Sequence, residues 1–400
     1  MNNKKRKGEN VYQLAQRRLE FIFNEFDNIY VSFSGGKDSG VLLNLCIQYI
    51  REHGLKRKIG VFHMDYEAQY QMTTEYVEET FRENRDILDI YHVCVPFKVV
   101  TCTSMHQTYW RPWEESMHAN WVRPMPKNCY TKEDFPFYNE EMWDYNFQLE
   151  FAEWYHKRMN AVRTCCLVGI RTQESLDRWR TIYGSNRLNS YHNLRWTRRL
   201  GFDLYNAYPI YDWITEDIWT AYARFKWPFN QLYELYYKAG VPLDKQRVAS
   251  PFISTAIETL KLYKAIDPNT WGRMLGRVNG VNFAGIYGGT RAMGWHHIKL
   301  PKGYTWKEYM YFLLDTLPEE MRQAYLEKLR VSKEFWKYKG GCLALSTIQK
   351  LNDLGIKIHV QKKTNYKTDK LPVQMDYLDD IEISEFKEIP TYKRMCICIL

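Results

Sequence analysis

The stretch "VSFSGGKDSG", Val31 to Gly40, decides the reading of this 400-residue chain. It follows "FDNIYVSF", which is apolar and β-branched, and leads into "VLLNLCIQYI", apolar almost all round. That pattern is a buried strand running into a helix through a turn of glycine, lysine, acid and serine. Such a junction is a natural phosphate site, because backbone N–H groups converge there and the helix N-terminus adds partial positive charge. Gly35 and Gly36 permit positive φ and close approach of a ligand. Lys37 brings a point charge, and Ser34 and Ser39 bring hydroxyl donors. Asp38, poor as a direct phosphate ligand, can hold a Mg²⁺ that bridges phosphate oxygens. The spacing is not that of Walker A, which needs four residues between its first glycine and its Gly-Lys pair. An ordinary turn, with Asp38 or Ser39 capping the helix, is the plain alternative; the complete string in this context favours phosphate.

Outward from the turn, residues 28–95 alternate strand and helix. "NIYVSFS", "KIGVFHMD" and "IYHVCVPF" read as strands, with "DSGVLLNLCIQYIREHG" and "TTEYVEETFREN" as the helices between them. That order implies a parallel, doubly wound α/β sheet of Rossmann-like type. "CCLVGI" (165–170) supplies a fourth strand after the helix "NFQLEFAEWYHKRMNAV", and "LYNAYPI" belongs to a fifth. Residues 97–146 break the rhythm with a density of Trp, Pro and Tyr, and read as an ordered insertion walling the site. There Trp110, Trp113 and Trp121 either stack on a base or pack the insertion against the sheet. The expected organisation is an N-terminal helix over 1–27, a nucleotide-binding domain over 28–245 with the insertion, and a mostly helical C-terminal domain over 246–400. In the last of these "NGVNFAGIYGGTRAMGW" reads as glycine-rich loop, and Thr305 and Glu308 have capping-box spacing.

Composition sets the bounds. Lys and Arg outnumber Asp and Glu by 56 to 47, a net charge of +9 that suits an anionic partner, nucleotide or nucleic acid. No apolar run reaches the roughly 18 residues of a membrane span, and the basic start lacks an apolar signal region. The nine scattered cysteines suit a reducing, cytoplasmic setting.

Together with three further stretches in order, the turn resembles the PP-loop ATP pyrophosphatase and phosphoadenosine phosphosulfate (PAPS) reductase superfamily, whose fold is adenine nucleotide α-hydrolase-like. "VFHMDYEAQY" is similar to the second-strand motif, and the resemblance puts Asp65 beside the nucleoside. "LVGIRTQESLDRWR" is similar to the arginine loop, with Arg171, Glu174, Ser175 and Arg178. "YPIYDWITEDIWTAYARFKWPFNQLYELYYKAG" resembles the helical segment that follows. The resemblance implies ATP as ligand, with Ser34, Gly35, Gly36, Lys37, Asp38, Ser39, Asp65, Arg171 and Arg178 binding it and Lys37, Asp38 and Arg171 serving catalysis. Unaided, Arg171 sits at the carboxyl edge of a strand, where open α/β sheets bind ligands. Arg178 either meets phosphate oxygens or pairs with Glu174 one helical turn away.

Relatives that reduce sulfonucleotides use a Glu-Cys-Gly-Leu-His tail motif or a four-thiolate cluster. Neither is here: Cys342 lacks the motif's neighbours, Cys165 and Cys166 sit in a core strand, and the chain has no Cys-x-x-Cys, so no iron–sulfur cluster is expected. What replaces the reductases' cysteine-bearing loop is "VPLDKQRVASPF". Adenylyl transfer with release of pyrophosphate is the reading this favours. A reductase using Cys396 or Cys398 of the "KRMCICIL" end, as a mobile thiol tail, is the alternative, though such an end also docks readily in an apolar groove. A second alternative is a nucleotide-gated regulator without turnover. The long C-terminal part resembles the immunoglobulin-binding-regulator A family, which implies a ParB-like partner and a role in regulation or defence. Arg195, Arg198 and Arg199, interleaved with Tyr191 and Trp196, read either as a nucleic-acid surface or as an exposed basic loop. His63 reads as a structural strand histidine, and His296 and His297 are too isolated to interpret.

Overall fold

In the computed structural model the chain divides into two compact units, Met1–Gly289 and Thr290–Leu400. The residues described are 8–104, 107–184, 189–243, 245–254, 256–287, 298–317, 319–361, 370–383, 385 and 388–399. His296 and His297 lie outside them.

The first unit opens with α1 (Val11–Glu25), β1 (Asn28–Ser32), α2 (Lys37–Glu52), β2 (Ile59–Met64), α3 (Gln71–Glu83) and β3 (Leu88–Val93). The insertion follows with the short β4 (Val99–Val100) and β5 (Tyr109–Trp110), and the chain returns through α4 (Asp144–Arg158) and β6 (Thr164–Val168). After α5 (Leu176–Tyr183) come β7 (Thr197–Gly201), β8 (Leu204–Ala207), α6 (Thr215–Phe225) and α7 (Leu232–Lys238). The six strands order as β3-β2-β1-β6-β8-β7, parallel except for the pair of β7 with β8. β2 is buried throughout, and β1 and β6 are buried except at their last residues, so their β-branched and aromatic side chains fill the layers between sheet and helices. The strand order turns back at β1, leaving a crevice between the carboxyl ends of β1 and β6. The glycine turn lies there.

Residues 246–289, assigned above to the C-terminal domain, fall in the first unit. They include α8 (Tyr263–Ile266), α9 (Pro268–Arg277) and α10 (Val281–Tyr287), so the part of "NGVNFAGIYGGTRAMGW" over 281–287 is helix rather than loop. What ties this region to the sheet is Glu67, fully buried just past β2 at a left-handed φ of +61°. Its carboxylate accepts from the Arg277 Nε at 2.9 Å and Nη2 at 3.1 Å, and from the backbone N–H of Trp113 at 2.7 Å and Val122 at 2.9 Å. One carboxylate thus joins β2, the insertion and α9. Trp110 and Trp113, almost wholly buried, pack the insertion down, so they are not stacking platforms.

The second unit contains α11 (Trp306–Asp315), α12 (Glu319–Glu334), β9 (Gly341–Ala344), α13 (Leu345–Asp353), β10 (Ile358–Val360), β11 (Lys370–Met375) and α14 (Tyr392–Ile399). Helices dominate it, and the Thr305–Glu308 capping box forms as its spacing predicts. It also holds a three-stranded antiparallel sheet, β10-β11-β9, that the sequence pattern did not disclose because its strands are short and partly exposed.

Removing Arg277 leaves the Glu67 charge buried without its cation. Arg277→Ala is expected to cost about 3–5 kcal/mol, read as a lowered denaturation midpoint in urea.

Candidate functional site

The glycine turn reverses through Gly35, whose φ of +75° suits only a residue without Cβ; a Cβ there would also meet Val77 at 2.9 Å and Thr73 at 3.0 Å. Gly36 is the N-cap of α2. Ser34 and Ser39 close the turn, their hydroxyls 3.0 Å apart, and the Ser39 hydroxyl donates to the Gly36 carbonyl at 3.1 Å. The turn is braced from far along the chain. The Lys37 N–H donates to the Tyr233 hydroxyl at 2.9 Å, Tyr222 donates to the Lys37 carbonyl at 2.8 Å, and the Asn230 amide donates to the Gly35 carbonyl at 3.0 Å.

The result is a cleft of about 300 Å³. Ser34, Gly36, Lys37, Asp38 and Ser39 form one wall; Gly169, Ile170, Glu174 and Arg178 form the other; Tyr233 and Arg247 complete it. Lys37 is only 4% exposed, and its amine donates to the Gln246 carbonyl at 2.9 Å. Burial lowers its pKa, against the opposing pull of Asp38.

Arg171 does not reach into this cleft. It is buried behind it, its Nε 2.6 Å from Asp38 Oδ1, with Gln173 and Thr215 accepting from its Nη1. Asp38 Oδ2 lies 3.4 Å from the Lys37 amine. Both Asp38 oxygens therefore face cationic nitrogens, a donor set that does not suit a magnesium ion. Asp38, expected to hold Mg²⁺, and Arg171, expected at the phosphates, here form a Lys37–Asp38–Arg171 chain of charges. Arg178 lines the cleft and is hydrogen-bonded to Glu174, the pairing expected one helical turn away.

Asp65 stands apart, in a second buried cluster at the ends of β2 and β3. It accepts from His92 Nε2 at 2.8 Å and from Arg123, and its backbone carbonyl accepts from the Trp113 indole at 2.8 Å. Burial pushes its carboxyl up, but Arg123 and His92 outweigh burial and hold it well below the usual carboxylate range. His63 pairs in register with His92 and donates from Nδ1 to the Phe33 carbonyl at 2.8 Å. Burial, then His92, lowers its pKa to about 4. His63, Asp65 and His92 bring donor atoms within 4.8 Å of one another, but Arg123 already neutralises the carboxylate.

The PAPS reductase domain matches residues 28–239, just over half of the chain. The chain belongs to the phosphoadenosine phosphosulfate reductase domain family. Residues 240–400 match a domain of unknown function, DUF3440. A relative in Escherichia coli (strain K12), "Uncharacterized protein YbdN", is 35% identical over 83% of this chain and 81% of its own. Among solved structures, PAPS reductase from Candida auris in its phosphate complex has a TM-score of 0.32 at 14% identity, covering 62% of this chain and 98% of that one. Candida glabrata FMN adenylyltransferase with FAD and inorganic pyrophosphate has a TM-score of 0.32 at 16% identity, covering 58% and 64%.

Several residues of the cleft, Gly169, Tyr233 and Arg247, and of the Asp65 cluster, His92 and Arg123, were not singled out by sequence. Gly169 carried a signal, standing in "LVGIR" at the carboxyl end of a core strand. A Cβ on it would meet the Asp38 carbonyl carbon and Ser39 nitrogen at 2.9 Å, so α2 starts hard against β6. Arg247 stands in the segment that replaces the reductases' cysteine loop, and nothing local marks it.

Gly169→Ala must push the start of α2 away. It is expected to destabilise by about 1–3 kcal/mol and to lower adenine-nucleotide affinity, checked by urea titration and isothermal calorimetry. His63 gives a pH test. Its folded pKa is below the ordinary 6.5, so its contribution is complete above about pH 6.5 and is lost as pH falls towards 4. His63→Asn, which keeps a donor for Phe33, should show a smaller drop in urea midpoint between pH 7 and pH 5 than wild type.

Proposed function

We propose that this protein binds ATP, as MgATP, in the cleft between β1 and β6, and transfers its adenylyl group to an acceptor. The acceptor's nucleophile forms a bond to the α-phosphorus, the bond to the bridging oxygen breaks, and pyrophosphate leaves with that electron pair. The acceptor's proton passes to solvent. The observation that carries this reading is Lys37, a buried cation on a cleft wall at the start of a helix, beside Ser34 and Ser39 and facing Arg178 and Arg247. A cation held out of water in this way is best compensated by an anion of high charge. In the proposed role Lys37, Arg178 and Arg247 neutralise the leaving pyrophosphate, and Arg171 acts as a positioning residue that fixes Asp38 against Lys37. Preorganised charge of this kind needs no rearrangement during reaction.

The reductase alternative requires a mobile tail thiol, and Cys396 and Cys398 both lie within α14. Cys396 is fully buried, its thiol 3.4 Å from the Trp306 carbonyl, and burial pushes its pKa up to about 12. Cys398 is exposed, but it is held in the same helix and its pKa too is raised, chiefly by desolvation. A raised pKa does not suit a nucleophile.

The test is pyrophosphate release from MgATP, by the protein alone and with the ParB-like partner that the resemblance implies. Lys37→Ala is expected to lower release about 100-fold or more. ATP binding without release in every condition would leave the nucleotide-gated regulator. The affinity of the free protein for ATP should also fall on the alkaline side at a pH below the ordinary lysine value of 10.5, since phosphates bind the protonated amine and burial lowers its pKa. Lys37→Ala should lack that limb.

A further inference from the structure

Beyond adenylyl transfer, we propose that the outer face of α5 is a docking surface for single-stranded nucleic acid. α5 begins in the cleft wall, yet most of it faces solvent, and Ile182 is its one buried residue. Trp179 is 46% exposed and Tyr183 41% exposed, and their rings stack on each other with centroids 5.1 Å apart and planes 25° apart. They are one helical turn apart, so they form a continuous exposed aromatic platform. Tyr191 and Trp196, which the sequence pattern offered for this role, are instead core residues.

The charges around the platform are of the right sign. Arg195 lies over the Tyr183 ring at 4.8 Å, Arg180 is exposed beside Trp179, and Arg178, the residue before Trp179, lines the cleft. Past Arg195 the edge strand β7 carries the exposed Arg198 and Arg199. The acids nearby in sequence are Glu174, hydrogen-bonded to Arg178, Asp177, which pairs with Arg180 at 3.4 Å, and Asp203, so Arg178, Arg180, Arg195, Arg198 and Arg199 outnumber them. Exposed rings that stack on bases, with arginines to meet the phosphates, are the two parts of a single-strand site. Duplex DNA keeps its bases stacked internally and would leave the rings unused. An acidic protein would use the arginines and gain little from the flat, stacked pair. The platform starts one residue from the cleft wall, so a strand held on it passes close to the bound nucleotide.

The experiment is fluorescence anisotropy of the full chain with labelled 20-nucleotide single strands, RNA and DNA, and with the matching duplexes, at 50 and 200 mM salt. Wild type is expected to prefer single strand over duplex. Trp179→Ala with Tyr183→Ala should weaken single-strand binding about tenfold or more, and Trp179→Phe should restore most of it. Arg180→Ala and Arg195→Ala should each flatten the slope of log affinity against log salt by about 0.7. Equal affinity in wild type and the double aromatic variant overturns the proposal, as does duplex binding as tight as single strand. Loss of a bound protein partner in the same variants, without oligonucleotide binding, overturns it too and assigns the face to protein. Lys37→Ala is expected to lose pyrophosphate release and keep oligonucleotide affinity, so failure of either reading is seen separately.

Discussion

A single carboxylate, that of Glu67, ties the carboxyl end of β2 to the insertion and to α9. It has lost all contact with water, so every lone pair must be met by protein. Arg277, Trp113 and Val122 meet them, and the backbone of Glu67 takes a left-handed turn to allow it. Such a pair adds little stability over an apolar substitute, but it enforces one arrangement, because any other leaves a bare charge inside. The aromatic insertion can therefore be rich in Trp and Pro without being loose.

Asp38 repeats the device on the other side of β1. Its carboxylate lies between Lys37 and Arg171, so the arginine is spent on placing the acid and the lysine is left at the cleft wall. Two acids thus set two arginines, the partly exposed Asp38 one behind the cleft and the buried Glu67 one under the insertion. What lines the cleft includes a smaller group, Lys37, Ser34, Ser39, Arg178 and Arg247, drawn from three separated parts of the chain. In the proposed adenylyl transfer, catalysis rests on fixed charge more than on any one reactive side chain.

The sheet and the turn were legible because their signals are local. "NIYVSFSGGKDS" carries its strand, its turn chemistry and its helix start within twelve residues. The arginine loop was legible for the same reason, though not the direction in which Arg171 points, since the partner of a guanidinium depends on tertiary contacts. Arg247 and Tyr233 were hidden because their roles exist only once remote segments meet. β7 was hidden because "TRRLG" is an edge strand with arginines exposed, and a charged edge strand lacks the apolar run that reveals a central one. The Asp65 cluster was half legible: the acid was marked by its motif, and the histidine and arginine that neutralise it were not.

The bracing of the glycine turn has a consequence for how the protein is made. Lys37 is held by Tyr233, 196 residues later, and by Gln246, 209 residues later, and Glu67 waits for Arg277, 210 residues later. A ribosome adding roughly 5–20 residues per second spends about 10–40 s over such distances. For that interval the nascent chain carries the turn without its braces and a core-bound carboxylate without its cation. The first three strands of the sheet can pair meanwhile, but the phosphate cleft cannot close. Nucleotide binding is thus a property acquired late in synthesis, when the segment over 230–277 has emerged.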